Sequence, residues 1–285
     1  MPELERIRWV HRPPARARAA VVAFAGWGDA GESSTGAIDH LLDTLAVDPV
    51  AVIEPDEFYD FTVRRPQVEI VGGGQRQVVW PDTRVSLLAV PGESRELVIV
   101  RGEEPHARWK TFSAALVDVF EALGVEEVVS LGAFIGQVPH TVPVPLVGSG
   151  QQASVLTRHG LLASGYEGPT GIIGVLNQTL LERGVAGLSL WAAVPHYLSS
   201  QAYPPGALAL VEKALAILDI PIECPVLRIE AAEFRATVDA AVADSEELSG
   251  YVEELEQELD PDLVRPAPDS GIRLVEEIER FLRDR

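Results

Sequence analysis

The sequence runs to 285 residues and 30.8 kDa with 47% apolar residues, enough to bury a large core and to exclude a disordered or fibrous chain. Its formal charge of −20, from 43 Asp and Glu against 23 Lys and Arg, repels phosphate backbones and excludes nucleic acid as an expected partner. The single cysteine, Cys224, excludes a disulfide framework and a Cys-rich metal site, and no run reaches the ~20 apolar residues of a membrane span.

With residues 1–10 too charged for a signal peptide, a soluble cytoplasmic protein is expected. Along the chain, residues 19–25 read as a buried strand, and residues 33–45 as an amphipathic helix with Ile38, Leu41, Leu42 and Leu45 on one face. Residues 50–53 form a second strand. Residues 68–71 and 77–80 flank Gly72-Gly73-Gly74 as a hairpin. A strand at 97–101 leads to a helix at 109–123 that Gly124 stops. Strands follow at 128–134 and 188–194. Between them a helix starts near Ile172, with Thr170 as its expected N-cap, and ends at Gly184. This alternation predicts an α/β layered domain over residues 1–228.

From residue 229 the character changes. Residues 230–285 hold 17 acidic and 6 basic side chains, and helices are expected at 230–242, 246–259 and 272–282. Residues 229–285 therefore read as an acidic helical extension, with Leu248, Val252, Leu255 and Leu259 in a stripe that packs on the chain's own domain or on a partner.

Gly26-Trp27-Gly28-Asp29-Ala30-Gly31 fits the dinucleotide fingerprint, and Glu54 lies near the place of its ribose-binding acid. The chemistry argues otherwise. Asp29 stands where the pyrophosphate would need free N–H groups, and Trp27 adds bulk there. The expectation is a strand-to-helix turn capped by Asp29, with no cofactor.

Three histidines follow prolines just beyond predicted strands: His106, His140 and His196. If those strands are parallel, the imidazoles meet at one sheet edge with Glu103, Glu104 and Tyr197, where α/β proteins bind ligands. The candidate pocket is Trp27, Asp29, Glu104, His106, His140, Glu167, Thr170, His196 and Tyr197. A histidine there can act as general base, orient a ligand, or simply hold a carbonyl. No zinc-site spacing or nucleophile elbow occurs, so no metal is expected. Cys224 reads as an unreactive thiol, without a helix N-terminus to activate it.

In order and spacing, these segments resemble the proteasome assembly chaperone 2 family in its longer actinobacterial form. Its anchors here are Gly26 to Gly31, Tyr59-Asp60-Phe61 with Arg65-Pro66, Glu104-Pro105 with Arg108-Trp109, and Val138-Pro139-His140-Thr141 with Pro143-Val144-Pro145. Further on come Tyr166-Glu167-Gly168-Pro169-Thr170-Gly171, Ser189-Leu190-Trp191 and Val194-Pro195-His196-Tyr197. Val142 stands where a basic residue is expected. The resemblance implies a three-layer α/β/α sandwich with a mixed sheet, phosphorylase/hydrolase-like, plus the C-terminal helices. It also implies self-association as trimers or larger, and binding to proteasome subunits or another protein complex. The hydrophobic–tyrosine–any ending by which some archaeal relatives dock is not expected from Arg283-Asp284-Arg285.

The leading reading is a non-enzymatic protein-binding or assembly factor. Its competitor is a hydrolase- or phosphorylase-like enzyme that uses the His/carboxylate pocket. A carboxylate–amine ligase of the ATP-grasp kind, a label some bacterial relatives carry, is not expected. Lys110 and Lys213 are the only lysines, a thin supply of cations for phosphates.

Overall fold

The computed structural model describes residues 6–14, 17–45, 47–150 and 153–259. In chain order the first elements are β1 (Ile7–Trp9), β2 (Ala17–Ala25), α1 (Ser33–Leu45), β3 (Pro49–Ile53), β4 (Gln67–Val71), β5 (Gln75–Val79), β6 (Thr83–Ala89) and β7 (Glu96–Glu103). They are followed by α2 (Trp109–Leu123), β8 (Glu127–Gly136), β9 (Leu146–Gly150), α3 (Ala153–Arg158), β10 (Leu162–Ala163), α4 (Ile172–Glu182) and β11 (Ala186–Pro195). Three helices complete the described chain: α5 (Pro204–Ile217), α6 (Pro225–Ala243) and α7 (Glu246–Glu258).

Nine strands make one mixed sheet in the order β1-β3-β6-β7-β2-β8-β11-β9-β10. Its centre, β7-β2-β8-β11, is parallel, so four strand C-termini open on one edge. The flanks are antiparallel, through β6 against β7 and β9 against β11. Alternation along β2 sends Ala19, Val21 and Ala23 to one face and Ala20, Val22 and Phe24 to the other, and all six are buried. The first face packs under α1 and α5 through Ile38, Leu41 and Leu210. The second packs under α2 and α4 through Phe112, Leu116, Phe120 and Leu176. This is the expected α/β/α sandwich.

The C-terminal helices do not stand apart. Leu227, Val238, Leu248, Val252 and Leu255 are buried in the same core as α1 and α5. Two expectations need correction. The helix read from residue 230 begins five residues earlier, because Pro225 occupies the first turn, where its missing N–H costs nothing. That start places Cys224 at the helix N-cap, although burial pushes its thiol pKa up. Helix α5 was not anticipated: its 204–217 sequence is apolar nearly all round, having α1 on one side and α6 on the other. The helix expected at 272–282 lies outside the described residues.

The glycine-linked hairpin is present, but β4 and β5 form a separate two-stranded sheet with no core beneath it.

Candidate functional site

The parallel strands deliver four loops to one edge: Gly26 to Asp29 after β2, Glu104 to His106 after β7, Val138 to His140 after β8, and His196 with Tyr197 after β11. The candidate residues separate there into three groups rather than one pocket.

The first group is Asp29 alone. Its carboxylate accepts from the Ser34 N–H (2.8 Å), the Ser34 hydroxyl (2.5 Å), the Thr35 N–H (3.2 Å) and the Thr35 hydroxyl (2.5 Å). The Asp29 side chain thus fills the N-terminus of α1, and no open N–H groups face an incoming pyrophosphate there. Gly31 is buried against Tyr203, where an added Cβ would come within 2.9 Å of the Tyr203 Cβ. Glu54 pairs with Arg8. The glycine fingerprint is therefore a packed, capped turn, and the dinucleotide reading fails on geometry.

The second group joins Trp27, Glu104 and the start of α4. Glu104 accepts from the Ile172 N–H through Oε1 (2.9 Å) and from the Trp27 N–H through Oε2 (3.4 Å). A side chain from the loop after β7 therefore caps α4, and the expectation of a Thr170 cap is corrected: the N-cap is Gly171, without a side-chain cap bond of its own. An added Cβ at Gly171 would lie 2.6 Å from Glu104 Oε1, so only glycine leaves room for this approach. Trp27 is 64% exposed beside it. Glu167 and Thr170 lie in an exposed loop, closed on itself by the Tyr166 hydroxyl donating to the Pro169 carbonyl (3.1 Å). His106 stands apart. It is exposed, and its Nδ1 accepts from the Asp60 N–H (3.2 Å).

The third group is His140, Tyr197 and His196, which the structure does bring together: the Tyr197 ring lies 5.9 Å from the His140 ring and 5.2 Å from that of His196. The group is closed. The Tyr197 hydroxyl accepts from the His140 backbone N–H (2.8 Å), so it donates to His140 Nδ1 (2.8 Å). His140 Nε2 then carries the proton and donates to Asp239 of α6 (3.1 Å). Arg235, one turn earlier on α6, donates to the carbonyls of His140 and Val142 (2.6 and 3.0 Å). That guanidinium comes close to the position where a basic residue is expected in the loop, but its Nε and Nη2 donors are spent on backbone. Tyr251 of α7 hydrogen-bonds His196 Nε2 (2.9 Å), and Glu256 accepts from the Thr141 hydroxyl.

Burial lowers the pKa of both histidines. For His140 it outweighs the pull of Asp239, and for His196 that of the Gly136 carbonyl. Burial also pushes the Tyr197 hydroxyl well above the usual tyrosine range. At neutral pH the cluster is an uncharged, hydrogen-bonded joint between the strand ends and the two C-terminal helices. His140 is 4% exposed, so no substrate reaches its imidazole in this arrangement.

Arg235, Asp239, Tyr251 and Glu256 were not anticipated. The available signals were a basic and an acidic residue four apart on α6, and a tyrosine within the apolar stripe of α7. Among the described residues no three His, Cys, Asp or Glu side chains are placed to hold a metal ion. No described helix is long and apolar enough to cross a membrane. A groove of about 480 Å³ opens at the opposite sheet edge, lined by Arg18, Glu126, Glu127 and Leu218, away from every candidate residue.

The sequence matches the model of the PAC2 family over residues 23–242. A PAC2 family protein from Streptomyces avermitilis is 41% identical, covering 82% of this chain and 99% of that one, with a TM-score of 0.77. A proteasome-assembly chaperone homologue from Mycobacterium tuberculosis is 36% identical, with 82% and 99% covered and a TM-score of 0.75. A Corynebacterium glutamicum protein of unknown function shares the fold at 24% identity, with 97% and 100% covered and a TM-score of 0.80. No curated protein matches the chain. A family match over most of the chain, together with these two relatives above 30% identity, identifies the chain as a member of the PAC2 family.

Proposed function

We infer that this chain is a non-enzymatic protein-binding factor that works in the cytoplasm as a homo-oligomer and engages proteasome core subunits during their assembly. The observation that carries this reading is the 36% identity, over 82% of the chain, to a proteasome-assembly chaperone homologue. The sealed histidine cluster supports it. The side chains best suited to acid–base catalysis already hold Tyr197, Asp239 and Tyr251, so a hydrolase- or phosphorylase-like pocket finds no support at this edge.

The test is affinity capture from lysate of the native host, read by quantitative mass spectrometry, with a His140→Ala/His196→Ala variant alongside the wild type. The expected result is near-stoichiometric recovery of proteasome core subunits by both proteins, provided thermal melting shows the variant folded. Recovery of the bait alone by wild type overturns the reading. So does turnover of a small molecule that the double variant loses.

A further inference from the structure

The hairpin β4–β5 leaves aliphatic side chains exposed, and only Trp80 at its end packs on a neighbour, the Phe61 ring. Register pairs Val68 with Val78 and Ile70 with Arg76, so these four side chains share one face; Gln67, Glu69, Gln75 and Gln77 lie on the other, together with Val71 and Val79. On the first face Val68 is 59% and Ile70 73% exposed, and Trp80 beside the strand end is also exposed. An isolated two-stranded sheet is at best marginally stable in water, so this arm calls for a partner surface. Its charge is anomalous for the chain. Residues 62–80 carry Arg64, Arg65 and Arg76 against Glu69 alone, in a protein of net charge −20. Arg64 pairs with Glu103, whereas Arg65 and Arg76 have no ion pair among the described residues.

A second unpartnered surface has the complementary character. On α6, Val226, Ile229, Glu230 and Glu233 fall at i, i+3, i+4 and i+7, the spacing of a single helical face. All four are exposed, with Ile229 at 59%, and neither glutamate has an ion pair among the described residues. One surface offers aliphatic side chains beside the unpaired Arg76, and the other offers aliphatic side chains beside two unpaired glutamates. Because both are exposed, they do not cover each other within one chain.

We propose that the β4–β5 arm of one copy of this chain docks, through Val68, Ile70 and Arg76, on the Val226–Ile229–Glu230–Glu233 face of α6 in a second copy. Such a contact is heterologous, head to tail, and closes a ring when the rotation between copies permits. It rests on the homo-oligomer reading above and names the surface that makes it. Opposite charges at the rim fix the register, and the aliphatic pairs supply the burial.

The test is light scattering coupled to size exclusion over a dilution series, on the full chain. The expected results are an oligomeric wild type, a monomeric Ile70→Asp variant, and an Arg65→Glu/Arg76→Glu variant whose dissociation constant rises at least about tenfold. Adding Glu230→Arg/Glu233→Arg to that variant restores assembly. The substituted side chains touch no core, and circular dichroism verifies that each variant keeps its fold.

A monomeric wild type overturns the contact. So does an oligomer indifferent to the arginine reversals, or one that the α6 reversals fail to rescue. Loss of a captured host protein from the Ile70→Asp variant, with the oligomer intact, also overturns it by giving the arm another occupant. Capture of core subunits is read in the separate lysate experiment, so failure of this contact and failure of proteasome binding are told apart.

Discussion

Asp29 satisfies four donors with one carboxylate, two of them backbone N–H groups at the start of α1 that have no partner within the helix. Asp29→Ala removes the cap and leaves buried donors unmatched, at a cost of about 2–4 kcal/mol by urea denaturation. Asp29→Asn retains one acceptor oxygen and costs about 1 kcal/mol, because its amide must be turned from the N–H groups towards a hydroxyl that can accept. Equal losses for the two variants would mean that charge, not hydrogen-bond count, holds the turn.

The buried histidines set a pH dependence. Asp239, Arg235 and Glu256 act on His140; Tyr251 and Tyr197 pack on His196. Both folded pKa values lie below the ordinary 6.5, so above that pH the imidazoles are neutral in both states and titrate nothing away. Below it the unfolded chain binds protons that the native chain refuses, and stability falls until the folded pKa values are reached. The urea midpoint is therefore expected to be lower at pH 5.5 than at pH 7.5, and the drop should shrink in a His140→Gln/His196→Gln variant. A midpoint that rises on acidification would contradict the burial argument.

At the scale of elements, α4 depends on a side chain from the loop that follows β7. Gly171→Ala puts a methyl group against Glu104 and displaces it from the Ile172 N–H, which is expected to cost about 1–2 kcal/mol. In a Glu104→Ala background the same change should cost almost nothing, and this coupling in a double-mutant cycle distinguishes a lost cap from local crowding. Additive effects would exclude the cap.

This long-range capping also shows where the sequence stops being readable. The strands at 19–25, 97–101, 128–134 and 188–194 could be read because they are continuous apolar runs buried on both faces, and α1, α2 and α7 because their stripes repeat at helical spacing. Strands β6 and β9 escaped, being short antiparallel flanks: Thr83, Arg84 and Ser86 break up the first, and glycines the second. Helix α5 escaped because burial on opposite sides erases the stripe. The site was half legible. Parallel strands do bring the Pro-His loops to one edge, yet nothing in the local sequence tells that α6 and α7 fold back over two of the three histidines and leave His106 in solvent.

For the whole molecule, the acidic C-terminal helices act as a cover over the sheet edge where α/β proteins usually bind ligands. Their grip combines burial of Leu248, Val252 and Leu255 with the polar joint of Tyr251 to His196 and Asp239 to His140. Each buried aliphatic side chain contributes about 1.5–3 kcal/mol, against a typical total stability of ~5–15 kcal/mol, so the cover is integral to the fold. Val252→Asp places an unpaired charge in that contact and is expected to lift α7 at a cost of about 3–5 kcal/mol. Histidine acylation by diethylpyrocarbonate, located by peptide mass spectrometry, reports the result on an internal scale. In the wild type, His106 should be modified rapidly while His140 and His196 are spared. In Val252→Asp the two buried histidines should approach the rate of His106. Modification of His140 as fast as His106 in the native wild type would show an open edge, and would return the strand ends to the list of sites where chemistry can occur.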